Sequence, residues 1–475
     1  MRGSPRRSRG WLAGALVGGM VALTPGPARP GPPPAASPPD PPPATLPPDP
    51  PAAAPGPDAF DPWAGMDRDG RIPAVEKPAD FAHPERWRYI PEGRLKPGNL
   101  LQRFLVSSFI VPIFFHDADV GTGGGVAITD IDFRQQRRRE FAGIFLTYTT
   151  EGQQDYTISW RRWIHQRERE GGGVFQEERS FWRASAGYEK TLTRRFYGLD
   201  DSDEGDETSY TDEMFHLQAG IEASLPDPGS NWVGRFGLRG EFHELSDGHV
   251  GGKPDTGNVF PGLFDDAEHA KLGWVRAGLR YDTRDSRRNP YRGWHVGVRA
   301  EGALLQTHGD LGGRFTFEAG KYVALPGLFH AGGGPDEEDP PTDVLALGFE
   351  SQLAAGELPF FARPSLGGSS TLRGYLAGRF RGDATWTGMA EYRFWVLPRG
   401  FPIWRAVRVE RLGLALFYEA GAVASDVPDF FGKATVRHVG GVGLRLMLER
   451  AAPFRVDVGF SEEDVHVTAR FGLSF

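Results

Sequence analysis

The last ten residues read His466-Val467-Thr468-Ala469-Arg470-Phe471-Gly472-Leu473-Ser474-Phe475. Val467, Ala469, Phe471, Leu473 and Phe475 alternate with polar residues and glycine, and a period of two marks a strand with one apolar and one polar face. The pattern recurs upstream. Val275, Ala277, Leu279 and Tyr281 alternate with Arg276, Gly278, Arg280 and Asp282, and Trp294, Val296 and Val298 with His295, Gly297 and Arg299. Leu412, Leu414, Leu416 and Tyr418 alternate with Arg411, Gly413, Ala415, Phe417 and Glu419. The polar faces carry both charge signs and glycines, strand after strand. This predicts an all-β fold closed as a barrel, lipid outside and a polar lumen within, because only a closed sheet satisfies every backbone group in a bilayer.

Fifteen alternating segments begin near residues 124, 139, 153, 181, 209, 231, 269, 293, 311, 343, 386, 409, 437, 453 and 466. Single-chain bacterial barrels have an even strand number and short periplasmic turns. Walking back from Phe475 with alternating sides puts 225–230, 285–292 and 449–452 on the periplasmic side and the long connections 246–268, 362–385 and 421–436 outside. Parity then requires one more strand within Leu101–Phe115, so the expected fold is a 16-stranded antiparallel transmembrane barrel. Connections 165–180 and 325–342 are longer than the rule prefers.

Composition agrees. The chain has 475 residues, 54 Lys and Arg against 62 Asp and Glu, 64 glycines and no cysteine. The missing cysteine removes disulfide scaffolds, cysteine-bound zinc and thiol catalysis. A mean hydropathy of −0.41 hides the alternation. Arg2, Arg6, Arg7 and Arg9 precede an apolar run, Trp11–Leu23, that is shorter than the roughly 20 residues of a membrane span, so residues 1–28 read as a secretory signal peptide. Removing those four arginines takes the net charge from −8 to 50 − 62 = −12. The exported chain is acidic and shows no basic patch for nucleic acid.

Residues 25–57 hold 17 of the 40 prolines. Such a stretch populates extended conformations, so residues 29–99 are expected to be a periplasmic spacer and irregular segment, with the barrel over 100–475. Asp67-Arg68-Asp69-Gly70 opens like a calcium loop, but Pro78 stands where a bidentate Glu is required, so a turn is the better reading. The acids among residues 200–207 read as a solvated outer loop, although they could also gather divalent cations that bridge lipopolysaccharide.

The connection before the strand near 386 reads Gly367-Gly368-Ser369-Ser370-Thr371-Leu372-Arg373-Gly374-Tyr375, then Arg379-Phe380-Arg381-Gly382-Asp383 and Gly388-Met389-Ala390-Glu391-Tyr392. This resembles the bacterial surface antigen superfamily of outer-membrane barrels, which includes the barrel-assembly insertase and two-partner secretion transporters. The family's hydrophobic-Arg-Gly-aromatic tetrad at the tip of the sixth extracellular loop is matched by Leu372, Arg373, Gly374 and Tyr375. Asp282, Arg284, Asp285, Pro290 and Gly293 at a turn, and Arg195-Phe196-Tyr197-Gly198-Leu199, add to the likeness. The resemblance also makes Phe475 the aromatic end of an assembly signal.

A guanidinium folded into a lumen needs a carboxylate partner. Strand parity turns Phe417 and Glu419 inward, making Glu419 the first candidate. The family pattern there is aromatic-x-Asp-x-Gly, matched by Phe417, Glu419 and Gly421 with Glu in place of Asp. Glu391, inward by its own strand's parity, is the second candidate.

The family's transporters carry polypeptide-transport-associated modules of about 75 residues ahead of the barrel, and the prolines leave no room for one between residues 25 and 99. A barrel-only member is expected, with a nonenzymatic role in inserting or translocating polypeptides across the outer membrane. The alternative is a passive pore or lipid-handling barrel without a polypeptide client. An outer-membrane lipase or protease is the weakest reading, since the chain contains no Gly-x-Ser-x-Gly, His-Glu-x-x-His or phosphate-cradling glycine loop. No cofactor or metal is expected. Expected partners are outer-membrane lipids and lipopolysaccharide, polypeptide clients, and the barrel-assembly machinery for the chain's own insertion.

Overall fold

The computed structural model describes residues 71–90, 99, 109–117, 121–130 and 139–473, apart from 171, 201–206, 308, 335, 405–406, 427, 432–433 and 449–451. The signal peptide, the proline-rich stretch, Asp67–Gly70, residues 101–108, the acids of 201–206 and Phe475 lie outside the described residues.

Among these residues sixteen long strands follow one another around a closed antiparallel barrel. They are β1 (Phe109–Asp117), β2 (Gly121–Asp130), β3 (Glu140–Thr149), β4 (Gln154–Trp163), β5 (Phe181–Phe196), β6 (Thr208–Leu225), β7 (Trp232–Asp247) and β8 (Lys271–Asp282). Then come β9 (Gly293–Gln306), β10 (Gly312–Leu325), β11 (Asp343–Gly356), β12 (Ala384–Leu397), β13 (Val407–Ala424), β14 (Arg437–Leu448), β15 (Ala452–Phe460) and β16 (Val465–Phe471). The strand expected within Leu101–Phe115 is Phe109–Asp117 where it is described. No helix among the described residues is long and apolar enough to cross a membrane.

Burial is inverted relative to a water-soluble protein. On β13 the apolar set is outside, with Leu414 42%, Leu416 53% and Tyr418 53% exposed, while Arg411 (2%) and Glu419 (0%) are buried. Ile158, Leu217, Phe236, Val298, Phe349 and Val467 are likewise exposed on their strands. An apolar exterior around a charged interior places the solvent for the outer face among lipids. In detergent the purified protein should therefore give a strand-dominated circular dichroism spectrum and migrate faster on gels unboiled than boiled. A helix-dominated spectrum would reject the architecture.

The segment expected to be irregular is ordered over residues 71–90. At one end the Ala74 N–H donates to the Asp336 carbonyl and the Glu338 N–H to that of Ile72, both at 2.7 Å. At the other, Trp87–Ile90 pairs antiparallel with Val174–Glu177, which also pairs with Gln166–Glu168. Phe81 stacks on Trp87 at 4.2 Å and meets Phe175 edge-on. Arg86 donates to the Gly229 carbonyl at 2.5 Å. The strap thus joins connections 164–180, 226–231 and 326–342, all at the end of the barrel that carries the short turns. Two of these are the connections that exceed the length rule, and their extra residues supply the pairing partners.

The β8–β9 turn is built on Asp282, fully buried, which takes Arg284 Nε and Nη2 at 3.0 and 2.9 Å. Gly293 sits at φ 98°, where a Cβ would lie 2.5 Å from the Thr283 carbonyl oxygen. Asp285 Oδ1 accepts N–H bonds from Ser286, Tyr291 and Arg292 at 2.8, 3.0 and 3.3 Å. Burial nevertheless pushes its carboxyl up to about 6, against those donors. Because the folded state holds this proton more tightly than the unfolded chain, stability is fully present below about pH 4 and declines as pH rises through about 6. Asp285→Asn keeps an acceptor for the N–H groups and should flatten that decline, worth at most about 3 kcal/mol. Thermal midpoints of both proteins from pH 4 to 7 check this; parallel profiles would contradict it.

Candidate functional site

The connection between β11 and β12, residues 357–383, folds back into the lumen and carries its tip to the walls of β12, β13 and β15. Ser365–Leu366 pairs with Phe380–Arg381 to form its stem. At the tip the Tyr375 N–H closes a turn on the Leu372 carbonyl at 2.9 Å, and the Gly368 N–H donates to the Tyr375 carbonyl at 3.0 Å. Leu372 takes φ 44°, a left-handed conformation that costs a non-glycine residue about 1–3 kcal/mol and persists only where packing imposes it. The packing is an apolar cluster of Leu366, Leu372, Tyr375, Phe380, Phe417, Val423 and Val439.

Beside that cluster Arg373 is fully buried, and three carboxylates surround it. Its Nε donates to Glu419 Oε1 at 2.6 Å and its backbone N–H to Glu419 Oε2 at 2.7 Å. Its Nη1 lies 2.9 Å from Glu391 Oε2 and 3.0 Å from Asp457 Oδ2. The guanidinium carbon stands 3.6 Å from the centroid of the Phe417 ring, a cation–π contact worth about 2 kcal/mol when desolvated. Further arginines balance the acids. Arg393 Nε reaches Glu391 at 2.7 Å, Arg445 bridges Glu391 at 3.0 Å and Asp457 at 2.6 Å, and Arg455 Nη1 meets Asp457 at 2.5 Å. Arg455 Nη2 also donates to the Ser369 carbonyl at 2.6 Å, returning to the loop.

Register makes the room for these groups. Glu391, Phe417, Gly441 and Gly459 lie opposite one another across β12, β13, β14 and β15. A Cβ on Gly441 would stand 2.1 Å from Phe417 Cζ, and one on Gly459 would stand 2.5 Å from the Arg373 carbonyl oxygen. The two glycines form a notch in the lumen wall that receives first the ring and then the loop backbone. A Cβ on Gly374 would lie 3.0 Å from both the Ser461 nitrogen and Val439 Cγ1. At Gly421 a Cβ would come within 2.7 Å of the Trp386 carbonyl and 3.2 Å of Leu366. The loop continues to the last outer connection, where Tyr375 Oη donates to Glu462 at 3.4 Å and Arg379 Nε to Glu463 at 2.9 Å.

The structure brings Leu372, Arg373, Gly374, Tyr375, Phe417, Glu419, Glu391 and Gly421 to one place. It differs from the sequence expectation in one respect: Glu419 and Glu391 are simultaneous partners of Arg373, not alternatives, because Nε and Nη1 point to different strands. Sequence reading also missed Asp457, Arg393, Arg445, Arg455 and Gly459. Parity in Arg455-Val456-Asp457-Val458-Gly459 turns the charged residues and the glycine inward, but their depth relative to the loop tip depends on the β14–β15 register.

No group of three or more His, Cys, Asp or Glu among the described residues is arranged to hold a metal ion. The arrangement can brace a barrel wall, and its charges are consumed in doing so.

The Omp85 superfamily domain matches residues 140–475. No curated protein matches the chain. Among solved structures the chain is similar to BamA from Haemophilus ducreyi lacking POTRA domains 1–3, at 13% identity over 77% of this chain and 70% of that one, with a TM-score of 0.48. It is also similar to CdiB from Escherichia coli, at 11% identity over 82% and 67% with a TM-score of 0.49. For CdiB from Acinetobacter baumannii the values are 13%, 77%, 59% and 0.44, so the chain spans less than two-thirds of that protein.

Proposed function

Because this chain belongs to the Omp85 superfamily, we propose that it is an integral outer-membrane barrel that inserts or translocates polypeptides and carries no enzymatic activity. The observation that carries this reading is Arg373, fully buried among Glu419, Glu391 and Asp457. Its partners stand on β12, β13 and β15, so the inward loop braces the wall up to β15 and leaves the last strand outside its grip. In this reading the barrel opens between its last and first strands while the Arg373 cluster stays intact. A client segment would pair or pass at that seam.

In this reading the short turns and the strap over residues 71–90 face the periplasm, as does the spacer before them, and the loop carrying Arg373 enters from outside. The outward apolar band contacts outer-membrane lipids and lipopolysaccharide, and the barrel-assembly machinery inserts the chain itself. Depletion followed by a census of outer-membrane and secreted proteins tests the role. The expected result is a selective fall in particular outer-membrane or secreted proteins, restored by the wild-type chain. An unchanged census would leave a passive pore.

A further inference from the structure

At the short-turn end of the lumen, away from the Arg373 cluster, four arginines line a cavity of about 160 Å3. Arg161 on β4 and Arg183 on β5 lie directly opposite each other in register, and both point inward, since Ile158 and Trp182 of the same strands are exposed on the outer face. Like charges at facing positions of neighbouring strands are destabilising. The β8–β9 turn adds Arg287 and Arg288 to the same cavity.

Two carboxylates, Glu222 and Glu178, line the same cavity and offset only part of this charge. Glu222 is engaged by Arg287 at 2.8 Å and Arg235 at 3.4 Å, and Glu178 stands 3.7 Å from Arg88 of the strap. Among the described residues no side-chain hydrogen bond or carboxylate within 4 Å accompanies the guanidinium groups of Arg161, Arg183 or Arg288. Arg161 is instead held with its guanidinium carbon 4.6 Å from the Phe181 ring, and Arg287 lies 5.1 Å from the same ring. Aromatic contact fixes the planes of these two groups and leaves donors turned to the cavity. The volume holds several waters, at about 30 Å3 each, or one tetrahedral oxyanion.

The geometry points to a binding site for an oxyanion of the phosphate class, held by Arg161, Arg183 and Arg288 with Arg287 fixed by Glu222. Guanidinium forks match the paired oxygens of such an anion, and an anion between Arg161 and Arg183 cancels their repulsion. A free phosphate and the phosphate of a lipid headgroup share this chemistry.

The test uses the full chain in nonionic detergent, titrated with inorganic phosphate and, separately, with chloride at equal ionic strength. Phosphate should raise the thermal midpoint saturably and chloride should not. Arg161→Gln and Arg288→Gln should each weaken half-saturation at least tenfold. Without phosphate, Arg161→Gln should raise the midpoint, which loss of a merely structural contact would not do. Tighter binding of dihexanoyl phosphatidic acid than of phosphate would assign the site to a headgroup, and equal or weaker binding to the free ion. An equal response to chloride, or an undiminished phosphate response in both variants, would overturn the proposal. Should either variant fail to assemble, reversal potentials of the wild-type pore in chloride and phosphate gradients decide it: phosphate should reduce chloride permeation, and no effect of phosphate overturns the site.

Discussion

Arg373→Ala is expected to destabilise the barrel by about 3–5 kcal/mol, the usual result of breaking a buried ion pair by removing one partner. The loss falls unevenly on the three acids. Glu391 keeps Arg393 and Arg445, and Asp457 keeps Arg445 and Arg455. Glu419, with no exposed surface, has Arg373 as its hydrogen-bonding cation and would be left with the backbone N–H of residue 373 and no cation. The cation–π contact with Phe417 disappears as well. The midpoint of heat-modifiability on gels should drop sharply, and the loop should become sensitive to added protease. Arg373→Lys should recover only part of the loss, because a single ammonium cannot reproduce a fork that serves β12, β13 and β15 at once. Wild-type stability in Arg373→Ala would contradict a buried, ion-paired Arg373.

Gly459→Val is expected to expel the same loop without altering any charge. A Cβ there would approach the Arg373 carbonyl oxygen to 2.5 Å and the Gly374 nitrogen to 2.7 Å, both backbone atoms that cannot swing aside. Displacing them withdraws Arg373 from Glu419, so the steric variant should cost at least as much as Arg373→Ala, above about 3 kcal/mol. Gly440→Val is the control, since nothing lies within 4 Å of a Cβ at that position. Equal midpoints for the two valine variants would show that the notch does not seat the loop.

The barrel was legible because strand alternation is local: observed starts at 181, 293, 343 and 437 coincide with the alternating segments read from the sequence. The tetrad and the inward parity of Glu419 and Glu391 were legible for the same reason. What remained hidden depends on pairing between distant residues. Gly459 reads as one more glycine on a polar face, and only the rung Glu391–Phe417–Gly441–Gly459 gives it a role. Asp457 is inward by parity, but its depth follows from its place opposite Gly443. The strap was illegible because Trp87–Ile90 is too short for a periodic signal and finds its partner at Val174–Glu177, more than 80 positions later. The only trace was the excess length of two turns.

The buried clamp is tested most directly by thermal midpoints of four proteins: wild type, Arg373→Ala, Glu419→Gln and the double variant. If Arg373→Ala is weak because it strands a buried charge, neutralising that charge should relieve it. The double variant is then expected to be more stable than Arg373→Ala by about 1–3 kcal/mol, with a strongly nonadditive cycle. A double variant no more stable than Arg373→Ala, with the two losses simply adding, would contradict the clamp.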